Sequence, residues 1–98
     1  MITTKQRAFL RKLGATLEPI MQIGKEGLKD ASIEQIEGLF EARELIKIKV
    51  LQNCDYTPRE LADEIRDKTN CEQIQVIGGK IVLYRRSKKS NVKHIELI

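Results

Sequence analysis

Hydrophobic and polar residues follow two different spacings along the chain. In three stretches the apolar residues recur every three or four positions, a period that predicts amphipathic helices. In four shorter stretches they run together or alternate with polar residues, as they do in strands. The sequence therefore predicts helices over residues 4–13, 30–43 and 57–69, and strands over residues 19–23, 45–51, 73–77 and 81–85.

Local residue types mark the ends of these helices. Thr3 or Thr4 is suited to cap the first helix, and Gly14 is suited to end it. Residues 57–60 read Thr-Pro-Arg-Glu, a capping box with proline at the first helical position, which predicts the start of the third helix. The apolar helix positions that we expect to be buried are Phe9, Leu10, Leu13, Ile33, Ile36, Leu39, Phe40, Leu61, Ala62 and Ile65.

The predicted order of elements is α-β-α-β-α-β-β in a single compact α/β domain of the α+β, sandwich-like kind. Alternating strands and helices predict a sheet covered by helices, and Gly78 and Gly79 predict a tight hairpin that makes the four-stranded sheet mixed. We assign the domain to residues 2–98, with a core over 2–86 and a basic tail over 87–98. Residues 92–97 alternate only weakly, so they either add an edge strand or stay loose.

The charge balance narrows the choice of partners. Lysine and arginine total 18 against 14 acidic residues, which gives a net charge of +4 and an isoelectric point near 9.2. That excess suits a nucleic acid or another anionic surface. No apolar stretch approaches the ~20 residues that span a bilayer, and no targeting segment is evident, so we expect a cytoplasmic protein without a membrane partner.

Candidate catalytic chemistry is sparse. Cys54 and Cys71 match no zinc-binding spacing and are expected to be reduced thiols. His94, the one histidine, lies in the tail and is expected to be solvated. No Ser-His-Asp set, paired carboxylates or phosphate-binding loop of the Walker type is present. We therefore expect no enzyme activity, catalytic residue, metal, cofactor or small-molecule substrate.

The tetrapeptide Gly24-Lys25-Glu26-Gly27 is the motif that most favours a function. It lies between a predicted strand and a predicted helix, and its glycines permit positive φ angles and close approach of a ligand. The helix that follows presents free N–H groups, which suit a phosphate. RNA-binding domains of the KH class clamp a nucleic-acid backbone with a GxxG loop. RNA is therefore the first hypothesis, with Lys25 and Lys29 as phosphate contacts.

Two further basic clusters have either a solvated or an RNA-binding role. No acidic residue precedes Glu18, so one side of the first helix is uniformly basic. The second cluster surrounds Tyr84, which is either half-buried in its strand or stacked on an unpaired base. The first cluster consists of Lys5, Arg7, Arg11 and Lys12, and the second of Lys80, Arg85, Arg86, Lys88 and Lys89.

The second helix carries an acidic face that favours a different class of function. Glu34, Glu37 and Glu41 share one side of this helix and would repel a phosphate backbone. The alternative hypothesis is therefore a protein-interaction module that meets a basic partner through this acidic face.

Three motifs, in order and spacing, resemble the CRM domain (chloroplast RNA splicing and ribosome maturation), whose stand-alone bacterial form is the YhbY-like family. They lie at residues 23–28, 44–50 and 76–85, and the start of the chain, with Thr4-Lys5-Gln6-Arg7, is also similar. The resemblance extends over residues 2–86. It implies a fold like the C-terminal domain of translation initiation factor three.

The resemblance also implies a function and a set of site residues. Family members bind RNA and are associated with ribosomal RNA of the large-subunit precursor, so a ribosome assembly factor is expected. Under the alternative hypothesis, the acidic helix face docks on ribosomal or assembly proteins. Separately, we expect a monomer. One departure is Glu26, at a loop position where relatives often carry a basic or neutral residue. The implied RNA-binding residues are the loop Gly24, Lys25, Glu26 and Gly27 and the basic surface Lys5, Arg7, Arg11, Lys12 and Arg85.

Overall fold

The structure is a computed structural model that describes residues 2–97, in which three helices and four strands occur in the predicted order. The first strand is shorter than predicted and begins two residues after Pro19, which has no N–H group to donate to a neighbouring strand. The elements are α1 (Thr4–Gly14), β1 (Met21–Ile23), α2 (Asp30–Arg43), β2 (Leu45–Val50), α3 (Pro58–Thr69), β3 (Glu72–Ile77) and β4 (Lys80–Tyr84).

Helices α1 and α3 begin as the sequence predicts. The Thr3 hydroxyl accepts a hydrogen bond from the N–H of Gln6 at 3.0 Å, and the Gln6 side chain accepts from the N–H of Thr3. Thr57 and Glu60 form the same reciprocal pair at the start of α3. These bonds satisfy N–H groups that a helix cannot satisfy within itself, so the local sequence determines both boundaries.

The four strands form one mixed sheet in the order β1-β2-β4-β3. Strand β1 is parallel to β2 because α2 carries the chain back between them, whereas β4 is antiparallel to both of its neighbours. Helices α2 and α3 pack on one face of the sheet and α1 packs on the other. The predicted class, a four-stranded mixed sheet covered by helices, is therefore confirmed.

The two faces of the sheet bury separate apolar clusters. Ile46, Ile48 and Leu83 point towards α2 and α3, where Ile36 and Phe40 are fully buried. The cluster beneath α1 is smaller, which reflects partial coverage of that face by a single helix. It contains Leu10, Leu45, Ile74, Val82 and Tyr84.

Helix α1 contacts the sheet differently from the prediction. Gly14 is the last residue of the helix and does not follow it as a stop residue. It is buried against Val82, and a Cβ atom at position 14 would lie 2.8 Å from the Val82 Cγ1 atom. Leu10 and Gly14, four residues apart, face the sheet, while Leu13 is 37% exposed. A small residue is needed at position 14 because the helix and the sheet approach closely there.

The tail is neither an edge strand nor loose within the described residues. Ile95 and Leu97 pack on the cluster beneath α1, and Ser87 is buried. His94, predicted to be solvated, instead lies 2.6 Å from the Glu44 carboxylate. Residues 85–97 form no strand; instead, the N–H groups of Ser87 and Ile95 donate to the Glu44 carboxylate, and the N–H of Lys88 donates to the Glu41 carboxylate. Ile98, which the predicted tail includes, lies outside the described residues.

Glu44 holds this tail in place. The residue connects α2 to β2 with a φ of +65° and is 1% exposed. Its carboxylate accepts hydrogen bonds from the N–H groups of Ser87 and Ile95, each at 2.7 Å, in addition to the contact with His94. Burial by itself would raise the pKa of Glu44, but these hydrogen bonds outweigh it and hold the pKa below the ordinary value of 4.5.

The Glu44 contacts predict a loss of stability in acid. A carboxyl group with a lowered folded-state pKa stabilises the fold fully above its ordinary pKa, and the contribution disappears as the pH falls through the folded value. We expect Glu44→Gln to lower the melting temperature near neutral pH and to reduce the further loss on acidification from about pH 6 to about pH 3. Thermal unfolding followed by circular dichroism measures both. Equal pH dependence in wild type and variant would contradict this role of Glu44.

Candidate nucleic-acid interface

The GxxG loop (residues 24–27) is a fixed turn at the carboxyl end of β1. The N–H of Gly27 donates to the carbonyl oxygen of Gly24 at 3.1 Å, which closes a four-residue turn. The carbonyl oxygen of Lys25 accepts a hydrogen bond from the N–H of Asp55 at 3.0 Å, which ties the turn to the loop between β2 and α3. Its backbone is therefore held in place before any ligand arrives.

The two glycines of the loop have different roles. Only Gly27 has a positive φ, of +77°, and a Cβ atom there would lie 2.7 Å from the Tyr56 ring. Gly24 has no positive φ, and a Cβ atom there would meet nothing within 4 Å. Of the two glycines, Gly27 therefore uses the positive φ that glycine permits, and Gly24 does not. Gly27 shapes the turn, whereas Gly24 leaves the space beside it open.

This difference predicts unequal costs for adding a methyl group. Gly27→Ala should lower the free energy of unfolding by about 1–2 kcal/mol, because an L-residue is strained in the left-handed region. Gly24→Ala should leave it unchanged or raise it by up to about 1 kcal/mol, since the alanine fits and restricts the unfolded chain. Urea denaturation of the two variants beside wild type measures this. Equal effects at the two positions would contradict the distinction.

The charges of the loop leave one lysine without an acidic partner. Lys29 Nζ lies 2.8 Å from the Glu26 carboxylate, and both groups are exposed. Their hydrogen bond, with the attraction between the charges, lowers the pKa of Glu26 and raises that of Lys29. Lys25 forms no ion pair within residues 2–97. Glu26 is thus paired with Lys29, and residues 24–29 together carry one net positive charge.

The start of α2 lies beside this loop. The loop residues, together with Gln22, Lys29 and Ser32, line an open hollow of about 420 Å³. The Ser32 hydroxyl accepts from the N–H of Lys29 at 3.2 Å, and the N–H groups of the first helical turn have no partner within the helix. The hollow therefore combines a helix N-terminus with an unpaired lysine, an arrangement that suits a phosphate group.

The basic residues of α1 do not share this hollow. Lys5, Arg11 and Lys12 are exposed, but Arg7 donates to the carbonyl oxygen of Gln73 and pairs with Glu72 at 3.3 Å. Gln73 lies near the start of β3, three strands across from β1, at the opposite end of the strands from the loop. With strands ~4.8 Å apart and ~3.3 Å rise per residue, that corner is about 20 Å from the loop.

The Arg85 side chain is largely buried and forms contacts within the fold. Its side chain is 15% exposed, pairs with Glu37 at 2.7 Å and Glu41 at 3.2 Å, and donates to the carbonyl oxygen of Thr69 at 2.9 Å. Its guanidinium group also lies over the Phe40 ring, 5.1 Å from the centroid. Because these contacts use the guanidinium group to join α2, α3 and β4, we do not include Arg85 in the proposed RNA contacts.

The same contacts alter the acidic face of α2. Glu37 and Glu41 are paired with Arg85, and the N–H of Lys88, followed by Arg85 itself, helps to lower the pKa of Glu41. Glu34 is the one member of the face without an ion pair among the residues described. The structure therefore gives little support to the alternative of a protein-docking surface built on these three glutamates.

Long-range contacts were the part of the site that sequence patterns missed. Tyr56, which packs on Gly27, is separated from it by a helix and a strand, and no periodicity links the two.

Within residues 2–97 the structure contains no cluster of three potential metal-ligating side chains and no helix suited to cross a bilayer. Cys54 and Cys71 form no disulfide.

The chain belongs to the CRS1/YhbY (CRM) domain family, whose model matches residues 2–85. It is 45% identical over 97 residues to the probable RNA-binding protein YqeI of Bacillus subtilis, covering 99% of both chains. An RNA-binding protein of Haemophilus influenzae is 34% identical and is matched over 93% of its length, with 94% of this chain covered. The family resemblance expected from the three motifs is confirmed.

A solved structure agrees with the fold. The solution structure of the hypothetical protein SAV1595 from Staphylococcus aureus superposes with a TM-score of 0.81 at 47% identity, covering 100% of both chains. At that identity the two chains share the arrangement of α1–α3 and the mixed sheet.

Proposed function

We propose that this protein binds RNA through the GxxG loop and the start of α2, and that it acts in the cytoplasm as a monomeric assembly factor on the large-subunit ribosomal precursor. Membership of the CRM family and the RNA-binding descriptions of its relatives, none of which names an enzyme, support the RNA-binding part. The ribosomal part rests on the resemblance to YhbY-like proteins. The observation that carries the proposal is a fixed glycine turn opening onto a helix N-terminus.

The proposed contact is to the phosphate backbone. Gly24 has no side chain and open space beside it, so a phosphate group can come close to the turn. Lys25 supplies an unpaired positive charge, and the first N–H groups of α2 supply hydrogen-bond donors. Because the turn is already closed and anchored to Asp55, little ordering of the backbone accompanies binding.

The geometry favours recognition of backbone and shape over recognition of bases. The hollow beside the loop is lined by the loop itself and by Gln22, Ile23, Lys29 and Ser32, with no aromatic side chain among them on which a base could stack. The carboxylate of Asp30, in the first turn of α2, would repel a phosphate placed beside it. The phosphate is therefore expected on the Lys25 side of the helix end.

The ribosomal role is tested by sedimentation of tagged protein from lysate of its own cells on a sucrose gradient. Wild-type protein should travel with large-subunit precursors, and a Gly24→Asp variant, with its charge beside the phosphate site, should remain at the top. A tagged wild type that remains at the top would contradict the assembly role. It would not contradict RNA binding, which is measured with purified protein.

A further inference from the structure

A row of exposed side chains crosses the sheet next to the GxxG loop. The strand register aligns Gln22 with Lys49, Lys49 with Lys80, and Lys80 with Ile77, one residue from each strand. All four are exposed, whereas the neighbouring level, which includes Ile48 and Ile81, is buried against α2 and α3. These four residues, called here the lysine row, therefore lie on the face that α1 covers only in part.

The end of α1 leaves this row open. Gly14, the last residue of the helix, packs on Val82, which lies two residues beyond Lys80 on the same face of β4. The chain then passes to β1, where the N–H of Ile20 donates to the carbonyl oxygen of Lys47 at 3.0 Å, and Ile77, at the far end of the row, is 61% exposed. A strip of sheet about one row wide is thus uncovered at the end of the strands that carries the loop.

Lys49 and Lys80 carry like charges in directly opposed positions. Side chains so paired on antiparallel strands have Cβ atoms ~5 Å apart, and like charges there oppose folding. No carboxylate pairs with Lys49, Lys80 or the adjacent Lys47 in the part of the chain that the structure describes. An anion placed between the two lysines would remove the repulsion, which distinguishes this pair from lysines scattered over a solvated surface.

The row is continuous with the loop. Gln22 belongs to the row and also lines the hollow beside the loop, and Gly24 follows two residues later. From Gln22 to Lys80 the row crosses two strand spacings, about 10 Å.

We propose that Lys49 and Lys80, joined to the loop by Gln22, form a second phosphate-binding site that continues the RNA path across the open end of the sheet. This inference rests on the proposed RNA-binding function and adds the route of the backbone. Because the row contains no aromatic side chain, we expect it to contact phosphate and sugar groups and not bases. Ile77 offers an apolar contact at the end of the row.

The test is the affinity of the full chain for a fluorescein-labelled RNA stem-loop, followed by anisotropy over a series of salt concentrations. Lys49→Gln/Lys80→Gln should weaken binding at least tenfold at low salt. The slope of log affinity against log salt should shrink by about 1.4–1.8, the change for two phosphate contacts. Each single variant should give about half of the change in slope. The melting temperature should stay level or rise, because the opposed charges are removed.

Lys88→Gln/Lys89→Gln is the matched control, since it removes the same two charges from the exposed tail at the other end of the sheet. Equal losses of RNA affinity in the two double variants would show that only the net charge of the protein matters. That result would overturn the inference. If Lys49→Gln/Lys80→Gln binds with wild-type affinity while Gly24→Asp binds weakly, RNA binding by the lysine row is overturned. RNA binding by the GxxG loop would then stand. Absence of RNA binding by the wild type would overturn the proposed function itself.

Discussion

Replacing Gly24 by aspartate should weaken RNA binding by about ten- to a hundredfold and leave the melting temperature unchanged. The added carboxylate would stand in the open space beside the turn, where the proposal places a phosphate. Two like charges ~4 Å apart cost between about 1 and about 4 kcal/mol near a protein surface, and each ~1.4 kcal/mol is tenfold in affinity. Anisotropy titration with labelled RNA and thermal unfolding of the same preparations measure the two quantities.

Gly38→Asp is the matched control for this experiment. Gly38 lies in the middle of α2, is exposed, and has nothing within 4 Å of an added Cβ atom, so the variant carries the same charge change away from the loop. We expect it to bind RNA with nearly wild-type affinity. Equal affinities for the Gly24→Asp and Gly38→Asp variants would contradict the proposed position of the phosphate. Gly27 is less suitable, because a side chain there strains the turn and meets Tyr56.

Arg85→Ala should destabilise the fold instead of specifically removing an RNA contact. The change loses a charged hydrogen bond to the Thr69 carbonyl oxygen and the contact with the Phe40 ring. Together these are worth about 2–4 kcal/mol in unfolding free energy. A domain of this size then loses on the order of 10 °C or more in melting temperature. Glu37 and Glu41 would also be left without their cation.

Arg86→Ala provides the comparison, since Arg86 is the adjacent residue, is exposed and forms no ion pair among the residues described. Its unfolding free energy should stay within about 0.5 kcal/mol of wild type, as for most surface substitutions. A folded Arg85→Ala protein that melts at the wild-type temperature but binds RNA weakly would show that Arg85 contacts RNA. That result would contradict the structural role assigned to it here.

The elements of the fold were predictable because their causes are local. The capping box at Thr57 and Glu60 satisfies its own helix end, and the alternation of Ile46, Ile48 and Val50 marks one buried face of a strand. The position of the GxxG loop between β1 and α2 followed from the same local patterns. None of these inferences required knowledge of which segments meet in space.

The contacts that the sequence could not predict join segments that are distant along the chain. Glu44 reaches His94 across 50 positions, and Arg85 reaches Glu41 across 44 positions. A charged residue that bridges two helices has the same sequence pattern as one on a solvated face, so Arg85 resembled a surface cation. The lysine row likewise depends on strand register, because Lys49 and Lys80 become neighbours only when β2 and β4 pair.

The most direct test of the account is to titrate ¹⁵N-labelled protein with an RNA stem-loop and to map the amide signals that move. We predict that the largest shifts fall on the loop residues 24–27, on the first turn of α2 and, to a smaller extent, on Lys49 and Lys80. Shifts confined to the exposed side of α2 around Glu34, or to the tail around His94, with the loop signals unmoved, would contradict RNA binding through the GxxG loop.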